Sequence, residues 1–372
     1  MNKSSNRSTL RNCVYTAISL LVLLVLFEVL ASIFYYHEYG KRKLALAELY
    51  YTVKTNIISA REIKEKKKIQ YRNQQLVRPD SSSSMNQAVY DETIAANQFV
   101  YEPWVGFRNK DFSGRYVNTS GFERKSIPAF VQKGADTLTI WFLGGSTLFG
   151  FNVADAETIP SRFADLYWKD STQKKTLRIK NYAVPYYYSY HEYRLLSLLL
   201  EREPQPDLVV FVDGLNDFWS YGNTYDLKPY FSEKVAAFMN QQQVTVPSIT
   251  NDTRLTDAQT DTLARHYIQT VALAKQLLTN KGIKSLFVLQ PVPFYNYPNR
   301  NNDPVCSKNE YPVFAKVYPR LETYFRNDSS YLFLGNQLEH ETGLPFVDAI
   351  HYSPAFSNEL AVLMYQKVKR LF

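Results

Sequence analysis

Cysteine is nearly absent: the 372 residues hold two, Cys13 and Cys306. Two thiols make no disulfide framework, and no Cys-x-x-Cys pair offers a metal-ligand spacing. Cys13 borders an apolar segment and Cys306 lies deep in the remainder, so they do not meet if that segment spans a bilayer. No motif calls for a cofactor. Net charge is also missing from most of the chain. The total is +8, yet 14 Lys or Arg stand against five Glu up to Arg78, leaving 29 basic and 30 acidic groups beyond it. A nucleic-acid-binding domain needs a basic face of its own, so that class is excluded for the main part. The basic excess suits a stalk near anionic lipid headgroups. What is present in quantity is apolar residue, 45% of the chain, ordinary for a globular protein with a sizeable core.

The first landmark is the run 13–36, rich in Leu, Val and Ile and interrupted by Glu28. It is long enough to span a hydrocarbon core, and Tyr35 and Tyr36 fit an interfacial belt. A cleaved signal peptide is the competing reading, since Val29-Leu30-Ala31 resembles a small-residue cleavage site. The length of the run and the placement of Glu28 favour an uncleaved anchor. Lys3, Arg7 and Arg11 before it nearly balance Lys41, Arg42 and Lys43 after it. The shortness of the tail places it in the cytosol and the main domain outside.

Residues 41–76 predict a helical stalk, and 78–87, with four serines in a row, a flexible linker. The domain plan is therefore a short tail over 1–12, a transmembrane helix over 13–36, a basic helical stalk and linker over 37–97, and one domain over 98–372. In that domain, strands at 137–143, 177–181, 208–212, 285–290 and 346–348 alternate with helices near 157–168, 188–202, 256–281 and 354–370. Such alternation predicts an α/β fold, a doubly wound, mostly parallel sheet flanked by helices. Ligands of such sheets bind at the carboxyl ends of the strands.

The polar signals fall at those ends. Phe142-Leu143-Gly144-Gly145-Ser146-Thr147 runs from a strand into two glycines and a hydroxyl. It is not a Gly-x-Ser-x-Gly elbow, because Leu148 takes the place of the last glycine. Asp348-Ala349-Ile350-His351 offers a carboxylate to orient an imidazole that takes a hydroxyl proton. Of the other histidines, His37 borders the apolar run, and His191, His266 and His340 read as surface or packing residues on helices. Val212-Asp213-Gly214-Leu215-Asn216-Asp217 ends a buried strand in a turn whose Asn amide can donate to an oxyanion. Asn181 to Ser189, with Tyr186 in it, is a strand end turning into a helix. Gln290 reads as structural, with a place lining the site as the alternative.

Together these blocks, in this order, resemble the SGNH (GDSL-like) hydrolase superfamily over about residues 98–372. Gly145 stands where the usual nucleophile block has Asp, and Tyr186 where members place a Gly. The resemblance implies a catalytic triad of Ser146, Asp348 and His351. It further implies an oxyanion hole from the N–H groups of Ser146 and Tyr186 and the side chain of Asn216. Residues 101–122 resemble the strand-rich lead-in of membrane-tethered members. Asn118, Asn251 and Asn327 head formal glycosylation sequons, meaningful only in a secretory eukaryotic setting. Segments 217–255 and 292–312 read as lid loops, where Tyr221, Tyr225, Tyr230, Tyr295 and Tyr297 either stack on sugars or pack.

Three functions fit. The first is a membrane-anchored esterase removing acyl groups, acetyl among them, from a glycan or lipid on the periplasmic or extracytoplasmic side. The second is an O-acyltransferase decorating an exported polysaccharide, and the third a non-catalytic glycan-binding or scaffold protein. Retention of Ser146, Asn216, Asp348 and His351 together weighs against the third.

Overall fold

The structure, a computed structural model, describes residues 45–219 and 256–372 together with 14–16, 18–20, 22–30 and 33; over 45–60 it describes the backbone alone. The chain divides into two compact units, Met1–Ile69 and Gln70–Phe372. In the first, 14–16, 18–20, 22–30 and 33 are helical, with Leu23, Leu26 and Leu30 exposed. Among the described residues no helix is long and apolar enough to cross a membrane. The span expected over 13–36 is not supported by the described residues. The tail 1–12 and His37 lie outside the described residues.

Helix α1, Ala45–Val77, occupies the expected stalk. The second unit begins with its last turns and with α2, Ser83–Ala96. This replaces the linker expected over 78–87. Ser82 accepts the Met85 N–H at 3.2 Å, the duty of a helix N-cap, so one of the serines starts a helix instead of loosening the chain. Tyr71 donates to Asp91 at 2.7 Å and Asn86 to Gln75 at 2.9 Å, tying α2 to the end of α1. Glu92 then accepts the N–H groups of Arg115, Tyr116 and Val117 at 3.1, 2.7 and 2.9 Å. That fastens α2 to a lead-in of short strands: β1 Phe99–Glu102, β2 Gly106–Asn109, β3 Phe112–Ser113, β4 Asn118–Ser120, β5 Glu123–Arg124 and β6 Phe130–Val131.

The main sheet follows with β7, Thr137–Gly144; β8, Thr176–Asn181; β9, Leu208–Asp213; β10, Lys284–Leu289; and β11, Tyr331–Phe333. These five are parallel, in the spatial order β8-β7-β9-β10-β11. Antiparallel β5 and β6 pair with β8, and β4 and β3 continue beyond β5. Strand residues alternate between two cores, as a sheet covered on both faces requires. Trp141, Leu143, Val209, Phe211 and Phe287 face helices α5 (Ser189–Arg202), α7 (Asp257–Asn280) and α8 (Pro312–Phe325). Ile140, Phe142, Val210, Val212 and Val288 face α4 (Ile159–Lys169) and α9 (Pro354–Lys369). Two shorter helices, α3 (Ser146–Phe149) and α6 (Leu215–Trp219), follow β7 and β9 directly.

One expectation fails here. The segment 346–348 is no strand: Phe346 makes a single antiparallel bridge to Tyr352. Val347 N–H donates to the His351 carbonyl at 2.8 Å and Ser353 N–H to that of Pro345 at 2.8 Å, closing a tight turn. The fifth parallel strand is β11, only three residues long. Of Tyr295 and Tyr297, expected either to stack on sugars or to pack, the structure shows both packed. Tyr297 is buried and donates to Asp303 at 2.9 Å, and Tyr295 lies 5.0 Å from the Tyr318 ring. Most of the other expected lid, 220–255, with Tyr221, Tyr225, Tyr230 and Asn251, lies outside the described residues.

Candidate active site

The strand order places the change of winding direction between β7 and β9, and ligands bind where such a change opens a crevice at the strands' carboxyl ends. Ser146 follows β7 and Asn216 follows β9, so both stand at that point. Two glycines bring Ser146 there. A Cβ on Gly144 would lie 2.7 Å from Leu148 and 3.0 Å from the Val212 carbonyl. A Cβ on Gly145 would lie 2.7 Å from Asn216 Nδ2 and 2.9 Å from the Tyr187 carbonyl. The second contact explains why Gly, not Asp, precedes the serine: the Asn216 amide fills the space a side chain would take. That amide donates to the Tyr187 carbonyl at 2.8 Å. Its turn is pinned by Asp217, which accepts from Ser189 Oγ at 2.6 Å and from the Gly214 N–H at 3.2 Å.

Ser146 Oγ lies 2.9 Å from His351 Nε2, across 205 residues of chain. His351 Nδ1 lies 2.8 and 2.9 Å from the two oxygens of Asp348. The ionised carboxylate only accepts, so Nδ1 carries the hydrogen and Nε2 accepts from the serine. The turn over 346–352 aims both side chains one way, and its Ile350 and His351 N–H groups donate to Asp348 Oδ1 at 3.0 and 2.9 Å. Burial raises the Asp348 carboxyl, but the adjoining imidazole and these N–H donors outweigh it and hold it below the usual carboxylate range. Phe151 stacks on the imidazole at 4.6 Å.

Tyr186 stands at φ 70, in the left-handed region. The Tyr187 N–H donates to the Val184 carbonyl at 3.1 Å, closing a turn over 184–187 with Pro185 second and Tyr186 third. Glycine is the usual third residue where that φ is positive. The Tyr186 ring packs edge-on against Phe99 at 5.7 Å, a contact that offsets part of the strain.

Gln290, read from the sequence as structural, is buried just after β10 and takes the Thr147 hydroxyl at 2.5 Å, while its carbonyl accepts from Tyr318 at 2.9 Å. It braces the residue after Ser146. Asn152 donates to Asp348 Oδ2 at 2.6 Å, and no sequence signal marks it. Beneath the Asn216 turn, Glu192 and Asp213 form a buried carboxyl pair; burial raises both above the ordinary range. His191 is buried and stacks on Tyr187 at 5.0 Å, and His340 sits exposed in a turn, not on a helix. Asn118 of the first sequon is held by Asp155 at 2.7 Å. Burial pushes the unpaired Cys306 thiol up to about 12, which keeps it protonated. Among the described residues no group of three His, Cys, Asp or Glu is arranged to hold a metal ion.

No protein-family model matches the chain, and no curated protein matches it. Solved structures do. One is Est24, a carbohydrate acetylesterase from Sinorhizobium meliloti, at 15% identity over 63% of this chain and 100% of that one, TM-score 0.40. Another is TesA, at 19% identity over 63% and 99%, TM-score 0.37. A third is the psychrotrophic esterase EstA from Pseudoalteromonas sp., at 12% identity over 63% and 97%, TM-score 0.36. With TM-scores below 0.5, these likenesses leave function to be argued from the chain's own geometry.

Two outcomes follow from this geometry. Glycine at position 186 removes the strain along with the ring contact, so Tyr186→Gly is expected to unfold in urea within about 1 kcal/mol of wild type. Tyr186→Val, β-branched at positive φ, is expected to be less stable than the glycine variant by roughly 1–3 kcal/mol; equal stabilities would show that no strain resides there. The second concerns pH. Folded-state values above the unfolded ones mean that Glu192 and Asp213 stabilise fully below the unfolded values near 4. That stability drains as pH rises through the folded values. Denaturation at pH 5 and pH 9 is expected to show Asp213→Asn losing less stability over the interval than wild type, and equal losses would rule the pair out as the source.

Proposed function

We propose that the chain is a serine ester hydrolase of SGNH type, held at a membrane by its N-terminal run, acting on acyl esters, acetyl among them, of a glycan or lipid. The observation that carries the reading is the unbroken line of contacts Ser146 Oγ to His351 Nε2 and His351 Nδ1 to Asp348, each within 3 Å. Two segments 205 residues apart would not assemble a hydroxyl, an imidazole and a buried carboxylate in line without use for them. For the same reason a purely glycan-binding protein is the weaker reading.

His351 Nε2 takes the hydroxyl proton as Ser146 Oγ bonds to the ester carbonyl carbon. The carbonyl electron pair moves onto oxygen, and the donors meeting that oxyanion are the N–H groups of Ser146 and Tyr186 and the Asn216 amide. One such donor is worth roughly 2.7–4 kcal/mol in the transition state. Collapse breaks the bond to the alkoxide, which leaves as alcohol with the proton from His351. Water then gives a proton to His351 while its oxygen attacks acyl-Ser146, releasing the acid and restoring the serine. Asp348 stays ionised throughout, orienting the ring and balancing the imidazolium.

An O-acyltransferase would share the acyl-Ser146 stage and differ only in the attacking hydroxyl, for which it must hold an acceptor in place. The burial of Tyr297, bonded to Asp303, removes one residue that could have done so. Hydrolysis is thus the favoured outcome. The tether rests on the length and apolar character of 13–36 in the sequence.

Ser146→Ala is expected to keep the fold and lose roughly a thousandfold or more of turnover on p-nitrophenyl acetate, with His351→Ala similar and the double variant little worse. Wild-type turnover in Ser146→Ala would overturn the assignment. With oligosaccharide acceptors added, mass spectrometry is expected to find free acetate in excess; acetylated oligosaccharide in excess would make the protein a transferase. The full chain is also expected to stay with membranes through high salt and carbonate, because apolar insertion is not screened as charge is. A mature N-terminus at Ser32 would instead establish cleavage and remove the tether.

A further inference from the structure

We infer that Asn152 is a positioning residue for Asp348, and that Gln74 and Arg78, at the end of α1, hold Asn152 in place. This rests on the serine-ester reading above. The two Asp348 oxygens are served unequally. Oδ1 has two backbone donors from its own turn. Oδ2 has, apart from the imidazole, the Asn152 amide at 2.6 Å. His351 Nδ1 lies within reach of both oxygens, so the imidazole alone does not choose which one faces it. The Asn152 bond fixes the rotation of the carboxylate plane, and with it the aim of the ring at Ser146.

Asn152 is 2% exposed and stands at φ 66, a left-handed conformation that asparagine tolerates better than most residues. Its carbonyl is gripped from outside the loop. Gln74, wholly buried, donates Nε2 to it at 2.9 Å, and Arg78 donates Nη2 at 3.3 Å. Arg78 is anchored in turn by Glu157, 2.9 Å from its Nε, and Glu157 accepts the Ala154 N–H at 2.9 Å. Arg124, also buried, donates to the Val153 carbonyl at 3.0 Å and pairs with Asp155 at 2.9 Å. Three consecutive residues, 152–154, are therefore held at the backbone by charged or amide groups, those on 152 and 153 buried, while the side chain of the first reaches Asp348. A loop needing only to be closed would satisfy its carbonyls with water or its own N–H groups. Here side chains more than 70 positions earlier are spent on a residue whose own side chain bonds the acid.

The test measures turnover of p-nitrophenyl acetate by the full chain, normalised to Ser146 sites titrated to completion with a p-nitrophenyl phosphonate. Asn152→Gly removes the amide and suits the left-handed backbone. It is expected to lower kcat per titrated site by roughly tenfold to a hundredfold, the scale of a misplaced catalytic group, with KM within about twofold. A merely structural role would reduce the titratable sites and leave turnover per site unchanged. Asn152→Ala is the second variant, with the same expectation, should the glycine variant not accumulate. Gln74→Ala is expected to lower kcat per site in the same direction by less, and to add nothing on top of Asn152→Gly, because it acts through Asn152. Losses that multiply would overturn the part assigned to Gln74. Wild-type turnover per site in both Asn152 variants, alongside an inactive Ser146→Ala, would overturn the inference and leave the esterase reading standing. Activity in Ser146→Ala would overturn both.

Discussion

A carboxylate taken out of water must be met by donors, or it keeps its proton. Asp348 is buried and its ionisation is favoured, so the fold has met that demand in full. Two donors come from its own turn, one from Asn152 and one from His351. The consequences run outward. Only an acceptor on that side sets the imidazole tautomer, and only that tautomer leaves Nε2 able to accept the Ser146 proton. The turn over 346–352 and the loop over 150–157 are the means by which one buried charge is kept.

The parallel sheet supplies the other half. A reversal of winding between β7 and β9 leaves their ends uncovered by a crossover, and Ser146 and Asn216 are the residues found there. Close approach requires sharp backbone. Gly145 lets the Asn216 amide sit against the chain, while Tyr186 and Asn152, neither a glycine, are held at positive φ by what packs on or bonds to them. Strain of that kind persists only where the surroundings over-determine it. Here the surroundings are the Phe99 ring in one case and the Gln74 and Arg78 side chains in the other.

These features were unequally legible in the sequence. The strands β7, β9 and β10 are largely apolar runs bounded by polar residues and β8 alternates apolar with polar, and the chain's own pattern places them within a residue or two. β11 is three residues long, too short to stand out, whereas Phe346-Val347-Asp348 has strand character yet serves as one arm of a turn. Helix α8 starts at Pro312 and carries Pro319, which obscures it. The serines before α2 have linker composition and cap a helix, because composition is blind to which side chain finds a donor. At the site, Ser146, Asn216, Asp348 and His351 were legible because local motifs carry them. Asn152 was not, and of Gln290 the position was legible but its partner was not, since their partners lie 196 and 143 residues away and the bonds exist only after folding.

The buried acids near the site are treated in opposite ways, and the difference suits an ester-cleaving step. Asp348 keeps its charge beside the imidazole, where positive charge develops as the proton arrives. Glu192 and Asp213 lie under the turn that carries Asn216, with no cation among the described residues against them, and burial holds them toward the neutral form. A full negative charge there would oppose an oxyanion forming near the Asn216 amide, and low effective dielectric would strengthen the opposition. Asp217, in the same turn, has its oxygens engaged by Ser189 and the Gly214 N–H. On the proposed ester-cleaving mechanism, negative charge is thereby kept on the side of the site where a cation would appear and reduced at Glu192 and Asp213, on the side where an anion would, an arrangement that needs no group to move during the reaction.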